Sequence, residues 1–294
     1  MSDLENNFTP QLTADGSFTF TSKEFGESFH SHYGAKQESF FKFVVPTQLA
    51  TAAHKPVLRL LDVCYGLGYN TASALQTIWA VNPSCYVEVI GLELNPSVPK
   101  AAIAHDLFDN WNYNYTEILT QLAFEHQVQI ACLKATIIIG DARDSIALVR
   151  QSGFLADAIF LDAFSPPQCP QLWTIEFIKQ LSLCLHEDGL VATYSCAAAV
   201  RTALLAAGLV IGSTPPVGRR SPGTLAGHAK GGRETLQQFP LSQPETEHLL
   251  TRAAIPYRDP ELKNPAEVIV MRRQQEQQAS LLEPTSHWRK RSKL

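Results

Sequence analysis

Five short apolar runs, separated by segments of helical periodicity, constrain this chain more than any other feature. They occupy residues 57–63, 86–92, 135–139, 156–161 and 189–194, with helical patterns at 70–80, 97–126, 143–151, 172–185 and 197–207. Runs that are nearly continuously apolar, rather than apolar at alternate positions, belong to strands covered on both faces. Strand and helix in alternation give parallel pairing with crossover helices. The expected fold class is therefore α/β: a doubly wound, mainly parallel sheet of the Rossmann-like kind. Four runs end at or beside a carboxylate, namely Asp62, Glu93, Asp141 and Asp162. That carboxyl edge is where open parallel sheets take ligands.

Around a central unit at 53–240 the sequence predicts an N-terminal extension, 1–52, with a short strand at 17–21 and a helix at 37–49. Residues 215–232, rich in Gly, Pro and Arg, read as a mobile loop and 234–239 as a last strand. Residues 241–294 read as a tail, partly disordered or lying on the surface. A chain of 294 residues, 45% of them hydrophobic, can bury one sizeable core. Its net charge of -4 argues against general nucleic-acid binding and leaves RNA contacts to local basic patches. The six cysteines include no C-x-x-C pair and no metal-ligand spacing with histidine, which predicts reduced thiols and no metal. The first residues are polar, and no stretch approaches the ~20 apolar residues of a membrane span. No membrane association and a cytoplasmic location are the expectations.

The first run leads into Asp62-Val63-Cys64-Tyr65-Gly66-Leu67-Gly68-Tyr69-Asn70. Gly66 and Gly68 let the backbone turn tightly and approach a ligand closely. Glu93 suits the ribose hydroxyls of an adenosine ligand, and Asp141, followed by Ala142, suits the exocyclic amine of adenine. A dinucleotide loop would carry a third glycine where Thr71 stands, because a diphosphate sits at the helix start. Asp62 would repel phosphate and suits a cation. S-adenosylmethionine has an ammonium and a sulfonium and no phosphate, so the sign of the charge favours it over NAD. The candidate donor-binding residues are Asp62, Cys64, Tyr65, Gly66, Gly68, Asn70, Glu93, Asp141 and Ala142. Asp162 and Phe164, in Leu161-Asp162-Ala163-Phe164-Ser165-Pro166-Pro167, stand where a transferred methyl group would emerge.

These segments are joined by Gly26-Glu27, Gly34-Ala35, Glu38, Leu172-Trp173, Gly218-Arg219-Arg220 and Leu225-Ala226-Gly227. Taken together, from about residue 13 to 227, the sequence resembles the tRNA 5-methylaminomethyl-2-thiouridine methyltransferases. The resemblance implies methylation of an aminomethyl group on a wobble uridine of tRNA, with S-adenosylmethionine as donor. Cys64 departs from the pattern, standing where most members have the first glycine of the loop. The flavin-dependent oxidase domain fused to some members is not expected, since the chain is short and has no second nucleotide loop. FAD is then not a cofactor, and upstream enzymes must install the aminomethyl group.

Asp162 is the expected catalytic residue, positioning the amine and stabilising the ammonium that forms. Phe164 is placed to stack on the target base or wall off water, and equally to be a packed aromatic. Arg219, Arg220, Lys230 and Arg233 are the candidates for tRNA phosphates, with Arg289, Lys290, Arg291 and Lys293 further on and Trp288 as a stacking candidate. Two other readings stay open at this point: a small-amine methyltransferase or aminopropyl transferase on the same sheet, and a non-catalytic RNA-binding adaptor.

Overall fold

The computed structural model describes residues 8–109, 111, 115–218 and 221–291. Its strands are β1 (Gln11–Leu12), β2 (Phe18–Thr19), β3 (Val57–Val63), β4 (Tyr86–Glu93), β5 (Gln127–Ile130), β6 (Leu133–Ile139), β7 (Ala156–Leu161), β8 (Leu185–Thr193), β9 (Val210–Thr214) and β10 (Gly223–Gly227). The α-helices are α1 (Ala35–Ser39), α2 (Leu49–Ala52), α3 (Tyr69–Val81), α4 (Ser97–Ala104), α5 (Thr116–Glu125), α6 (Ala142–Gln151), α7 (Ile175–Ser182), α8 (Ala198–Ala206), α9 (Arg233–Gln237), α10 (Gln243–His248), α11 (Ala266–Ala279) and α12 (Thr285–Arg291).

The main sheet has the order β5-β6-β4-β3-β7-β8-β10-β9. From β6 to β8 every pairing is parallel; β5 and β10 run against their neighbours. β3 lies in the middle with β4 on one side and β7 on the other, so the winding reverses beside it and a crevice opens at its carboxyl end. The sheet is the expected doubly wound one.

Residues of β3 alternate between two cores. Leu58 and Leu60 pack in one with Leu75 and Ile78 of α3, while Leu61 and Val63 join the other with Ile146 of α6 and Phe177 of α7. All four β3 side chains are at most 1% exposed. Burial on both faces explains why the run is nearly continuous, interrupted by the exposed Arg59 and by Asp62.

Elsewhere the sequence and the structure part company. The helix expected at 37–49 is broken into α1, a π-helical turn (Phe40–Val44) and α2, with Gln48 left-handed at φ 55°. Within 215–232, read as loop, lies β10. Its residues are wholly buried between β8 and β9, and a Cβ on Gly223 would stand 2.7 Å from the Thr193 carbonyl oxygen. Residues expected as a strand at 234–239 instead hold the helix α9.

Residues 243–291 are largely helical. Ile269 and Asp259 are fully buried, Arg143 of α6 pairs with Asp259 at 3.0 Å, and Arg201 of α8 pairs with Glu245 at 2.8 Å. Partial disorder is thus not what these residues show: ion pairs to the main domain hold a segment whose helices bury too few apolar residues to give a clear period. No helix among the described residues is long and apolar enough to cross a membrane.

Candidate active site

The turn after β3 needs three left-handed residues: Cys64 at φ 67°, Gly66 at φ 57° and Gly68 at φ 90°. Only glycine adopts this conformation freely, and an ordinary L-residue there costs roughly 1–2 kcal/mol. Cys64 therefore holds a glycine's backbone conformation. Tyr65 turns inward, is 4% exposed, and packs over Gly91, where a Cβ would come 2.9 Å from its ring. Its N–H donates to the Leu92 carbonyl at 2.9 Å, so Tyr65 buttresses the turn from below.

Glu93, at the end of β4, accepts from the N–H of Gly66 and from that of Asn95, each at 2.8 Å. Burial pushes its carboxyl above the usual range, against the pull of those two N–H groups. The acid is fixed in place, one oxygen to each amide.

Asp62 behaves differently from the expected rim acid. It is fully buried, accepts from the Thr71 hydroxyl at 2.7 Å, and its Oδ1 has no hydrogen-bond partner among the described residues. Burial pushes its carboxyl up to about 8, a rise to which the charge of Asp162 adds and which the Thr71 bond opposes. It lies behind the turn and is not among the residues lining the cavity. Asn70, on the first turn of α3, donates from Nδ2 to Asp162 at 2.9 Å, which ties the start of α3 to the end of β7.

Asp141 is the N-cap of α6, accepting from the N–H of Arg143 at 2.9 Å. The Arg143 guanidinium grips the same carboxylate, with Nη2 at 2.7 Å. Burial raises the Asp141 carboxyl, but those hydrogen bonds outweigh it and the net shift is downward. Asp141 and the buried Ala142 stay outside the cavity lining. Of the four expected rim acids, two reach the shared space.

That space is a cavity of about 470 Å³, within the range of small-molecule sites. On the sheet side it is lined by Cys64, Gly66, Glu93, Asp162 and Phe164. Opposite stands a wall from the N-terminal residues, among them Phe25, Glu27, Phe29, His30, Tyr33 and Glu38. The N–H and hydroxyl of Ser165 both donate to Glu27. Phe164 stacks on Phe25 with centroids 4.5 Å apart and meets Phe29 edge-on at 5.2 Å. Residues 22–38 therefore supply the roof of the site. Strand and helix periodicity over 17–49 carried no sign of this; Gly26-Glu27 and Glu38 were the signal.

Lys230 is highly exposed and lies 3.9 Å from Glu187. Arg219, Arg220 and Lys293 lie outside the described residues, as does the side chain of Arg233. Arg291 pairs with Glu283 at 2.7 Å, and Trp288 stacks on His248 at 4.3 Å, which covers one face of its ring. Among the described residues no group of three or more His, Cys, Asp or Glu is placed to hold a metal ion.

Comparison with known proteins adds three findings. The sequence matches the S-adenosyl-L-methionine-dependent methyltransferase family over residues 105–229. It is 30% identical over 221 residues to an uncharacterized protein of Methanocaldococcus jannaschii, and 28% identical over 211 residues to the tRNA 5-methylaminomethyl-2-thiouridine biosynthesis bifunctional protein MnmC of Acidovorax sp. strain JS42. These matches take in 73% and 67% of this chain but 58% and 32% of the two relatives, so the chain spans only part of their length. The crystal structure of MNMC2 from Aquifex aeolicus superposes with a TM-score of 0.78 at 33% identity, over 93% of this chain and 86% of that one.

Proposed function

This chain belongs to the S-adenosyl-L-methionine-dependent methyltransferase family that includes MNMC2 of Aquifex aeolicus, and from that premise we propose that it methylates the amino nitrogen of 5-aminomethyl-2-thiouridine at the wobble position of tRNA. The tRNA substrate is taken from the name of the Acidovorax relative. The observation that carries the reading is that Glu93 and Asp162 face one cavity, each held by a hydrogen bond from the turn that opens α3 or from its first residues.

The residues fit an adenosyl donor. Glu93 keeps acceptor capacity for a ribose diol after its two amide bonds. Gly66 presents no Cβ to the cavity it lines. When bound, the donor supplies an electrophilic methyl group on a positively charged sulfur.

What remains for the protein is alignment and exclusion of water. An alkyl amine has a pKa of roughly 10, so about one molecule in a thousand is neutral at pH 7, a handicap of ~4 kcal/mol. Asp162, oriented by Asn70, directs the amine and stabilises the ammonium as it develops. It also favours the protonated amine beforehand, so it is not the sole proton acceptor. Phe164, clamped between Phe25 and Phe29, walls the reacting centre from solvent. In this reading the catalytic unit includes the N-terminal residues 22–38 and not 53–240 alone. The exposed Lys230, with Arg219, Arg220 and Arg233, would meet phosphate, and upstream enzymes would supply the free aminomethyl group.

The test is transfer from methyl-labelled S-adenosylmethionine to bulk tRNA carrying aminomethyl-uridine, with the product nucleoside identified by mass spectrometry. Label in the 5-methylaminomethyl nucleoside supports the proposal. Label in free polyamines and none in tRNA overturns it.

A further inference from the structure

Two buried oxygens behind the site have no donor among the described residues. One is Oδ1 of the fully buried Asp62; the other is Oδ1 of Asn70, a residue only 3% exposed. The two side chains are neighbours, since hydrogen bonding from Asn70 is among the influences on the Asp62 carboxyl. Their other polar atoms are engaged. Asp62 Oδ2 accepts from the Thr71 hydroxyl at 2.7 Å, and Asn70 Nδ2 donates to Asp162 at 2.9 Å. A buried acceptor left without a donor costs about 1–3 kcal/mol, and here two such acceptors belong to adjacent side chains. One proton satisfies both. Carried on Asp62 Oδ1, it turns that atom from an acceptor into a donor and gives Asn70 Oδ1 its partner.

We infer that Asp62 is held protonated behind the glycine turn and, by donating to Asn70, fixes the amide that orients Asp162 toward the amine. This rests on the function proposed above, in which Asp162 acts on the amine. The surroundings of Asp62 favour the proton. Burial lifts its carboxyl to about 8, and the charges of Asp162 after β7 and Glu93 at the end of β4 add to the rise. The other titratable neighbours are Cys64 and Tyr65 of the turn, both pushed up by burial and so uncharged at neutral pH. The proton also fixes which way round the Asn70 amide lies. Turned over, its oxygen would face the Asp162 carboxylate and its N–H the Asp62 O–H, acceptor against acceptor and donor against donor. Asp62 lines no part of the cavity, so it is a positioning residue that acts through Asn70.

Steady-state methyl transfer to tRNA carrying aminomethyl-uridine, with variants of the full chain, tests this. Asp62→Leu fills the space without a donor and should lower kcat about tenfold, more than it weakens S-adenosylhomocysteine in calorimetry. Asp62→Asn, whose amide N–H can replace the carboxyl O–H, should recover most of that loss. It carries the test if thermal melting shows the leucine variant unfolded. The ratio of its kcat/KM to that of wild type should be level between pH 6.5 and 7.5 and climb above about 8, since only the carboxyl loses a proton there. Taking the ratio cancels the titration of the substrate amine. With Asn70→Ala already in place, Asp62→Leu should cost less than about twofold further. A ratio that stays flat to about pH 9.5 overturns the inference while the proposed function stands. So does a leucine variant that costs as much without Asn70 as with it. If wild type methylates no such tRNA, the proposed function fails and this inference falls with it.

Discussion

Glu27 and Ser165, 138 residues apart in sequence, are joined by two hydrogen bonds, with the serine N–H and hydroxyl both donating to the one carboxylate. This link fastens the roof of the cavity to the loop that carries Asp162 and Phe164. Hydrogen bonds to a charged acceptor are worth about 1.5–3 kcal/mol, so Glu27→Ala should lower stability by about 2 kcal/mol. Turnover should fall at least about tenfold through misplacement of the loop, while donor affinity falls less. Denaturant melts, steady-state kinetics and donor calorimetry on one variant check all three. Unchanged turnover would remove the link from the reaction.

Replacing Asp162 by asparagine keeps the shape and removes the charge. Asp162→Asn should reduce kcat by about 10²-fold or more at its optimum, with donor affinity little altered. Rates are to be measured across the pH range. Near wild-type turnover at every pH would take the aspartate out of the mechanism.

Cys64 sits where the backbone asks for glycine. Cys64→Gly should melt at or above the wild-type temperature, since relief of roughly 1–2 kcal/mol of strain offsets the extra entropy of the unfolded chain. Cys64→Val should melt several degrees lower, because a β-branched residue tolerates positive φ worst. A glycine variant less stable than the valine variant would refute the strain argument.

Arg143 holds two carboxylates at once, Asp141 at the sheet edge and the fully buried Asp259 of the C-terminal segment. Arg143→Met leaves the Asp259 carboxyl buried and, among the described residues, held by Asn264. Breaking a buried pair from one side costs about 3–5 kcal/mol. The double variant Arg143→Met with Asp259→Asn should regain part of that stability. A loss below about 1 kcal/mol for the single change would mean the ion pair is not structural.

Between pH 6.5 and about 8 one identified group should govern the pH dependence of stability. Asp62 titrates near 8 when folded and near 3.8 when unfolded, so the folded chain holds its proton through this range and the unfolded chain does not. Its contribution is present at low pH and is lost as the pH rises through about 8. The slope is at most about 1.4 kcal/mol per pH unit. His30 acts lower down, with the opposite sign: stability is lost as the pH falls from 6.5 toward 4. Melts of Asp62→Asn should lack the decline between 6.5 and 8. A variant declining in parallel with wild type would show that Asp62 is not its source.

The parts of the fold that could be read in the sequence are those whose signal is local. β3, β4 and β7 announce themselves because both faces are buried, and their terminal acids follow at fixed places. β10 does not, because a strand squeezed between two others is built here from Gly, Thr, Leu, Ala and Gly, the composition of a turn. The site shows the same division. Glu93 and Asp162 were legible as strand ends. The engagement of Asp141 was not, since part of the Arg143 network comes from Asp259, 116 residues further on. Nor was the roof, whose contacts to Ser165 and Phe164 span still longer separations.

The roof has one more consequence, for the order of events in turnover. Residues 22–38 touch the sheet side of the cavity through the Glu27 carboxylate, through Phe25 stacked on Phe164 and through Phe29 edge-on to the same ring. If these contacts part to admit donor, entry of fresh donor and escape of the spent one share the same movement. Amide hydrogen exchange in these residues should slow when the cavity is filled, and the enzyme's pace can then be set by how often the cover lifts rather than by the chemistry beneath it.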